Sequence, residues 1–372
     1  MLRLVLVGGG HAHLHVLSEL SKYHIENLEV MLISSSRYAY YSGMISGFVE
    51  GIYTEDQVRI PLDLLCERMG FGFKQGEVTS VNPYNQSIEI NSCERITYQL
   101  ISFNVGSLSA NDHLAGVQEF AWTIKPLEKL TAFISQLSIN RNIVIAGGGA
   151  SAVELSMAIH SRMRQVQQFN SITLITQREI MSNSSPSVTK HIRQMIIHKG
   201  ITVLECDPVA SVEQNVVNTS SGRKIAFDQL LWLTGPQAHP FFRDSGLPVD
   251  DDGYLQVNRW LQVSQFPHIF GAGDCIRMTE YPLLPKAGVF AVRQGEVLAR
   301  NIRHYILQEK LLQYKPRKSY VAILSLGNKE GLMMYNKWAI RSKWAWTLKY
   351  MIDISHMNKY LSRSDSDLSN EH

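Results

Sequence analysis

No two of the four cysteines, Cys66, Cys93, Cys206 and Cys275, form a C-x-x-C pair. Their scatter argues against a redox-active dithiol, a cysteine-built zinc site and a disulfide framework. Long apolar runs are missing too: none reaches the roughly 18 residues that a membrane-spanning helix needs. The apolar start at 2–7 is too short for a signal peptide and runs directly into a glycine loop. Charge of one sign is not in excess. The 36 Lys and Arg against 33 Asp and Glu leave a net charge of +3, too small to argue for nucleic acid. Short-period repeats are absent. These absences leave an ordinary globular chain of 372 residues, long enough for two or three domains. The expected location is cytoplasmic, with peripheral contact on the cytoplasmic face of the cell membrane left open.

What is present is glycine in two particular places. The first loop reads Gly8-Gly9-Gly10-His11-Ala12-His13 after an apolar strand. The second reads Gly147-Gly148-Gly149-Ala150-Ser151-Ala152 after another. A strand ending in glycines lets the backbone approach a pyrophosphate, and the helix that follows presents free N–H groups and the positive end of its dipole. The second loop fits G-x-G-x-x-G/A at Gly147, Gly149 and Ala152. The first fits at Gly8 and Gly10, but His13 stands where a third small residue belongs, which predicts loosened or reshaped packing of helix on strand. Two such loops suggest a duplicated unit and a protein that holds two dinucleotides close enough to exchange electrons.

The acid that usually ends the second strand of such a unit and holds a ribose is missing in both. Ser34 takes the place in the first unit, after a strand at 29–34. Thr176, Gln177 and Arg178 follow the strand of the second. Arg178 would accommodate a 2′-phosphate or is a plain surface residue, so NADH and NADPH both stay open. Further strands are predicted at 73–81, 87–91, 99–105 and 230–233, and helices at 119–138 and from 288 to 302. Gly106 and Gly235 end two of the strands. Gly271-Ala272-Gly273-Asp274 ends another, where small residues admit a ligand and the Asp accepts hydroxyl hydrogen bonds. The segment 37–47 mixes aromatics with glycine and suits a loop lying against a flat ring system.

The pairing of Gly8-x-Gly10 with Gly147-x-Gly149, then Thr234-Gly235 and Gly271-Ala272-Gly273-Asp274, resembles the two-dinucleotide flavoprotein superfamily. That superfamily includes pyridine nucleotide-disulfide oxidoreductases, type II NADH dehydrogenases and sulfide:quinone reductases. The loop 8–13, Tyr41-Ser42-Gly43-Met44 and the run 285–295 look like the branch associated with selenophosphate synthase. The resemblance implies an α/β fold with two Rossmann-like domains, the second inserted in the first, and a C-terminal helical or interface segment. The boundaries expected are 1–112 and 236–310 for FAD, 113–235 for NAD(P)H, 311–361 for the C-terminal segment and 362–372 for a disordered tail. It implies FAD contacts from Gly8, Gly10, His11, Ala12, Ser34, Gly106, Gly273 and Asp274. It implies NAD(P)H, as co-substrate, at Gly147, Gly149, Ala152, Arg178 and Gly235. Glu154 matches a glutamate placed beside the nicotinamide, or else complements the helix dipole. Lys286 would stabilise the reduced flavin anion, or lies on the surface. No metal is expected at His11, His13 and His15.

The resulting expectation is an FAD-dependent NAD(P)H dehydrogenase that passes electrons to a quinone or other small acceptor. The Gly288-Val289 and Arg293-Gln294 pairs depart from the quinone-lining pattern of type II NADH dehydrogenases. A flavoprotein acting on a sulfur or selenium compound and a redox-sensing flavin protein are the alternatives, and a homodimer is open. Residues 336–360 hold Trp338, Trp344 and Trp346 with five basic residues against the single acid Asp353. Read as one helix, they place Lys349, Asp353 and His356 on a narrow polar arc between two apolar stripes. That helix would dock to a membrane surface or to protein.

Overall fold

The computed structural model describes residues 2–124, 128–137, 142–167, 171–317 and 319–361. The expected tail at 362–372 lies outside them. Two mainly parallel sheets dominate. The first runs, edge to edge, Gln262–Val263, Phe266–Gly271, Leu100–Phe103, Leu2–Val7, Leu28–Ser34, Gly72–Gln75. All its pairings are parallel except the one at the Gln262–Val263 edge. The second runs Ala121–Thr123, Gln229–Trp232, Asn142–Ala146, Ser171–Ile175, Thr202–Leu204, and is parallel throughout. Its strands fall in sequence between those of the first, so one unit is inserted in the other.

The two sheets repeat one topology. In each, the strand that leads into the glycine loop sits centrally, with the next strand on one side and a later one on the other: Leu2–Val7 between Leu28–Ser34 and Leu100–Phe103, Asn142–Ala146 between Ser171–Ile175 and Gln229–Trp232. Strand order reverses at that strand, which opens a crevice at its carboxyl end. Both glycine loops lie there. Each sheet also carries a three-stranded antiparallel meander, Val78–Asn82 to Glu94–Thr97 and Val209–Glu213 to Lys224–Ala226. The central strands are mostly buried and rich in Val, Ile and Leu, as parallel strands covered on both faces must be.

Five helices matter here: α1 (His11–Leu20), α2 (Ala150–Gln165), α3 (Pro186–His198), α4 (Gly288–Ile306) and α5 (Lys343–Met357). α1 and α4 cross closely because Gly295 has no side chain; a Cβ there would come within 2.9 Å of the Ala12 Cα. The short helix Ile45–Glu50 belongs in sequence to the first unit but packs on α2 of the second, through Ile45 and Val49. Buried Glu50 accepts hydrogen bonds from Ser161 Oγ at 2.7 Å and Asn328 N at 2.6 Å, tying that helix to α2 and to the C-terminal segment.

Three sequence expectations need correction. The strand predicted at 73–81 is two, Gly72–Gln75 and Val78–Asn82, which belong to different sheets. The break falls at Gly76, where a Cβ would run into the Ile90 side chain. The helix predicted at 119–138 is interrupted by the edge strand Ala121–Thr123, which pairs with Leu230–Trp232; a free sheet edge outweighed local helix propensity. Residues 125–127 and 138 of that span lie outside the described residues. Finally, the helix predicted over 336–360 begins only at Lys343. Trp338–Ser342 is instead the edge strand of an antiparallel sheet with Ala322–Ser325 and Gly331–Tyr335. Ser342 then caps α5, accepting from Ala345 N at 3.0 Å.

Candidate active site

The first loop is built around strand Leu2–Val7. Gly8 has φ +94°, and a Cβ there would lie 2.5 Å from the Asn104 carbonyl oxygen, so only glycine fits. Gly8 N donates to Ile33 O at 2.7 Å and Asn104 N to Val7 O at 2.8 Å, which locks the loop between its two neighbours. Gly10 precedes α1 with extended backbone, and α1 has no acid in its first turn. Such a helix start attracts an anion.

Asn104 was not among the residues the sequence singled out. Its Oδ1 accepts from Ala12 N at 3.0 Å, and its Nδ2 donates to Ala272 O at 2.7 Å. A Cβ on Gly10 or on Gly273 would run into this side chain. One amide therefore joins the first glycine loop to the Gly271–Asp274 turn, bringing Gly10, Ala12, Gly273 and Asp274 together. The signal in the sequence is a lone amide at the end of the apolar run Leu-Ile-Ser-Phe-Asn. Ser34 ends strand Leu28–Ser34 and is buried; Gly106, at φ +74°, faces open space.

Of the two outcomes expected at His13, loosened or reshaped packing, the structure shows the second. His13 is fully buried, with Nδ1 2.7 Å from Gly8 O and Nε2 2.9 Å from Ser102 Oγ. A ring with both nitrogens satisfied fills the helix–strand interface as a small residue would by contact. Burial lowers its pKa to about 4, so it is neutral at pH 7. His11, at the start of α1, stands edge-on to Tyr41 at 5.3 Å and His356 at 5.6 Å; burial lowers it to about 4 as well.

The second loop repeats these bonds. Gly147 N donates to Ile175 O at 2.8 Å, and Leu233 N to Ala146 O at 2.8 Å. Gly147 has φ +143°, with the Leu233 carbonyl where a Cβ would lie. Ala152 is buried. Gly149 and Gly235, however, face open space, with nothing within 4 Å of a Cβ at either. No cap from Gly149 and no acid in the first turn closes the start of α2. Arg178 is exposed beyond strand Ser171–Ile175.

Glu154 does more than complement a dipole. Its Oε1 accepts from Ser325 N at 2.7 Å, on the first strand of the C-terminal sheet. Burial pushes its carboxyl above the usual range; Lys349 opposes that and Asp353 adds to it. The polar arc of α5 thus faces inward, not between two membrane-facing stripes. Asp353 and His356 are buried, while Trp344, Met351 and Ile352 are exposed. The ion pair Lys349–Asp353, 2.6 Å, decides this, with Lys349 also bonded to the Gly43 carbonyl.

Lys286 sits beside Asp274 rather than beside Glu154's network. Its Nζ bonds to the Ile276 carbonyl and lies 3.8 Å over the Tyr254 ring; burial lowers it to about 8. Cys275 is buried, its Sγ 3.3 Å from Ala272 O, and burial raises its thiol to about 11.

A family model described as pyridine nucleotide-disulphide oxidoreductase matches residues 2–295. The chain belongs to that family. It is similar to ferroptosis suppressor protein 1 of Taeniopygia guttata, 24% identical over 90% of this chain and 88% of that one. The NADH dehydrogenase-like protein YutJ of Bacillus subtilis is 22% identical over 89% of this chain and 92% of its own. Demethylphylloquinone reductase NdbB of Synechocystis is 24% identical over 86% and 84%. The cradles fit the two dinucleotides of such an oxidoreductase: glycines bring backbone close, helix starts lack acids, and space is open at Gly106, Gly149 and Gly235. Among the described residues, no helix is long and apolar enough to cross a membrane.

Proposed function

We propose that this family member is an FAD-dependent NAD(P)H dehydrogenase that passes electrons to a quinone or other small acceptor. The observation that carries the reading is Glu154, half-buried just after the open second cradle and bonded to Ser325 of the C-terminal sheet, on which packs the helix that reaches Gly43 of the first unit. FAD, when bound, supplies the two-electron chemistry, and the protein supplies position and electrostatics. Gly8, Gly10, Ala12 and Gly273, braced by Asn104, hold its pyrophosphate and ribityl side, with Asp274 accepting from hydroxyls. Gly147, Gly149 and Gly235 admit the nicotinamide dinucleotide from solvent. The start of α4 has no acid and no side-chain cap, so with Lys286 it places positive potential toward the flavin ring. Cys275, a neutral buried thiol, gives no support to the sulfur reading.

The FAD-binding parts are taken as 1–112 and 236–310, around an NAD(P)H-binding part at 113–235. The relatives named for NADH and a phylloquinone support the co-substrate and the acceptor class. The exposed face of Trp338, Ile340, Trp344, Met351 and Ile352, with Lys343 and Arg341 beside it, suits docking to an anionic membrane surface, where a quinone would be reached. Localisation on the cytoplasmic face and a homodimer belong to the same proposal. The test is anaerobic stopped-flow mixing with NADH and with NADPH. Flavin bleaching by either, then reoxidation by a quinone analogue, is expected; no bleaching by either overturns the dehydrogenase reading.

A further inference from the structure

NADPH differs from NADH by one group, a phosphate on the 2′-oxygen of the adenosine ribose. A phosphate of this kind carries about −1.5 to −2 charge near neutral pH, so a site tells the two apart by what it presents at the ribose. We propose that the second cradle takes NADPH in preference to NADH, and that Arg178 is the residue that selects it. This rests on the dehydrogenase reading and deepens it by naming the co-substrate.

The backbone fixes where such a unit holds a ribose. Gly147 N bonds to Ile175 O as Gly8 N bonds to Ile33 O, so Thr176 answers to Ser34 as the residue that follows the second strand's last ladder bond. An acid there accepts from the ribose 2′-hydroxyl of NADH and repels a 2′-phosphate. Thr176 is neutral and buried, and a Cβ on Gly148 would run into its Oγ1, so the side chain is tucked beneath the glycine loop. The chain then makes a short exposed turn, Gln177-Arg178-Glu179. Both ends of that turn are fixed. Thr176 O accepts from Asp207 N at 3.1 Å, Ile180 N donates to Glu205 Oε1 at 2.8 Å, and Met181 N donates to the Gly148 carbonyl at 2.7 Å. The last bond brings the turn back to the glycine loop, which puts Arg178 on the rim of the crevice.

The acids around that rim are engaged elsewhere. Arg193 holds Glu205 through two bonds, at 2.9 and 2.8 Å, and reaches Glu179 at 3.3 Å. Asp207 accepts from Ser221 Oγ at 2.7 Å, Ser221 N at 2.9 Å and Thr219 Oγ1 at 2.9 Å. Arg178 has no hydrogen bond or ion pair among the described residues. The matching corner of the first unit differs. There Arg37, three residues after Ser34, pairs with Asp63 at 2.6 Å. A neutralised cation suits the adenosine ribose of FAD, which carries no 2′-phosphate. An unpaired guanidinium suits a phosphate, which its planar fork binds through two parallel N–H donors.

The test compares full-length FAD-loaded wild type, Arg178→Ala, Arg178→Lys and Arg178→Glu. Calorimetric titration of the oxidised proteins with adenosine 2′,5′-bisphosphate and with adenosine 5′-monophosphate reads the corner without turnover. Wild type should bind the bisphosphate about tenfold tighter, the scale of one charge-assisted hydrogen bond, and salt should shrink that advantage. Anaerobic stopped flow should show the same preference: flavin reduction at low nucleotide about tenfold faster with NADPH than with NADH, through tighter binding rather than a faster hydride step. Arg178→Ala should erase both ratios and Arg178→Glu should reverse them. Arg178→Lys should keep part, since an ammonium lacks the fork. A merely structural role predicts equal losses with both nucleotides. Wild type that binds the two adenosine nucleotides equally, or is reduced as well by NADH as by NADPH, overturns the inference, as does an Arg178→Ala protein with the wild-type ratios. Wild type that neither nicotinamide reduces overturns the dehydrogenase reading instead, and the calorimetry still decides on Arg178.

Discussion

The two cradles share a topology and differ in what closes them. Position for position, Gly8 answers to Gly147, Ile33 to Ile175 and Asn104 to Leu233, because the same backbone bonds join them. In the first cradle the polar Asn104 reaches across, engages the start of α1 and ties it to the Gly271–Asp274 turn. In the second, Leu233 has no such reach, and the space beside Gly149 and Gly235 stays open. His13 and Ala152 show the same contrast: one interface is pinned by hydrogen bonds, the other by a small side chain. The difference teaches how one duplicated unit serves two roles. A braced cradle suits a cofactor that stays, and an open one suits a co-substrate that exchanges every turnover.

Glycine substitutions should separate the two most sharply. Gly8→Ala forces a side chain onto the Asn104 backbone at positive φ, so it should destabilise by about 3 kcal/mol or more. Gly149→Ala meets nothing, so its melting should stay within about 0.5 kcal/mol. Its effect should appear as a raised KM for the nicotinamide, with flavin content intact. Equal destabilisation by the two in chemical melts would break the contrast.

Acid should act in part through His13, beside the similarly lowered His11. The folded pKa of His13, about 4, lies below the ordinary value near 6.5, so the unfolded chain binds the proton first. Stability is therefore full above about pH 6.5 and is lost as pH falls toward 4, by about 3 kcal/mol for this one group. His13→Leu should lessen the slope of the stability–pH curve by that share, leaving the part due to His11 and His356; a slope unchanged in the variant would mean the ring is not neutral when folded. Asn104→Ala strands the Ala12 N–H and the Ala272 carbonyl, about 2 kcal/mol together. Flavin stoichiometry of the purified protein should drop with it, while Leu233→Ala should spare flavin. The smallest effect is expected on the outside. Trp344→Ser, at a 63% exposed position, should leave stability within about 0.5 kcal/mol but weaken sedimentation with anionic liposomes at low salt. Undiminished binding would remove that face from the membrane proposal.

Much of the fold was legible because its signals are local. Glycines at strand ends, apolar runs and small residues at Ala152 and Ala272 report on their own neighbours along the chain. The edge strand Ala121–Thr123 was not legible, since its pairing partner lies at Leu230–Trp232. Nor was the direction of α5. Counted by residue type, Lys349 and Asp353 read only as a narrow polar arc between two apolar stripes; in space, the Gly43 carbonyl and Tyr41 supply the partners that make their burial tolerable.

By itself the sequence determined two dinucleotide units, their order, and the absence of a dithiol, because each depends on residue type at short spacing. Tertiary structure alone decided that both His13 ring nitrogens find partners beneath α1, that Asn104 joins two loops, and that Lys349 and Asp353 pair beside the Gly43 carbonyl. Those outcomes depend on which polar groups, far apart in the chain, find each other once water is excluded, and no local pattern records that meeting.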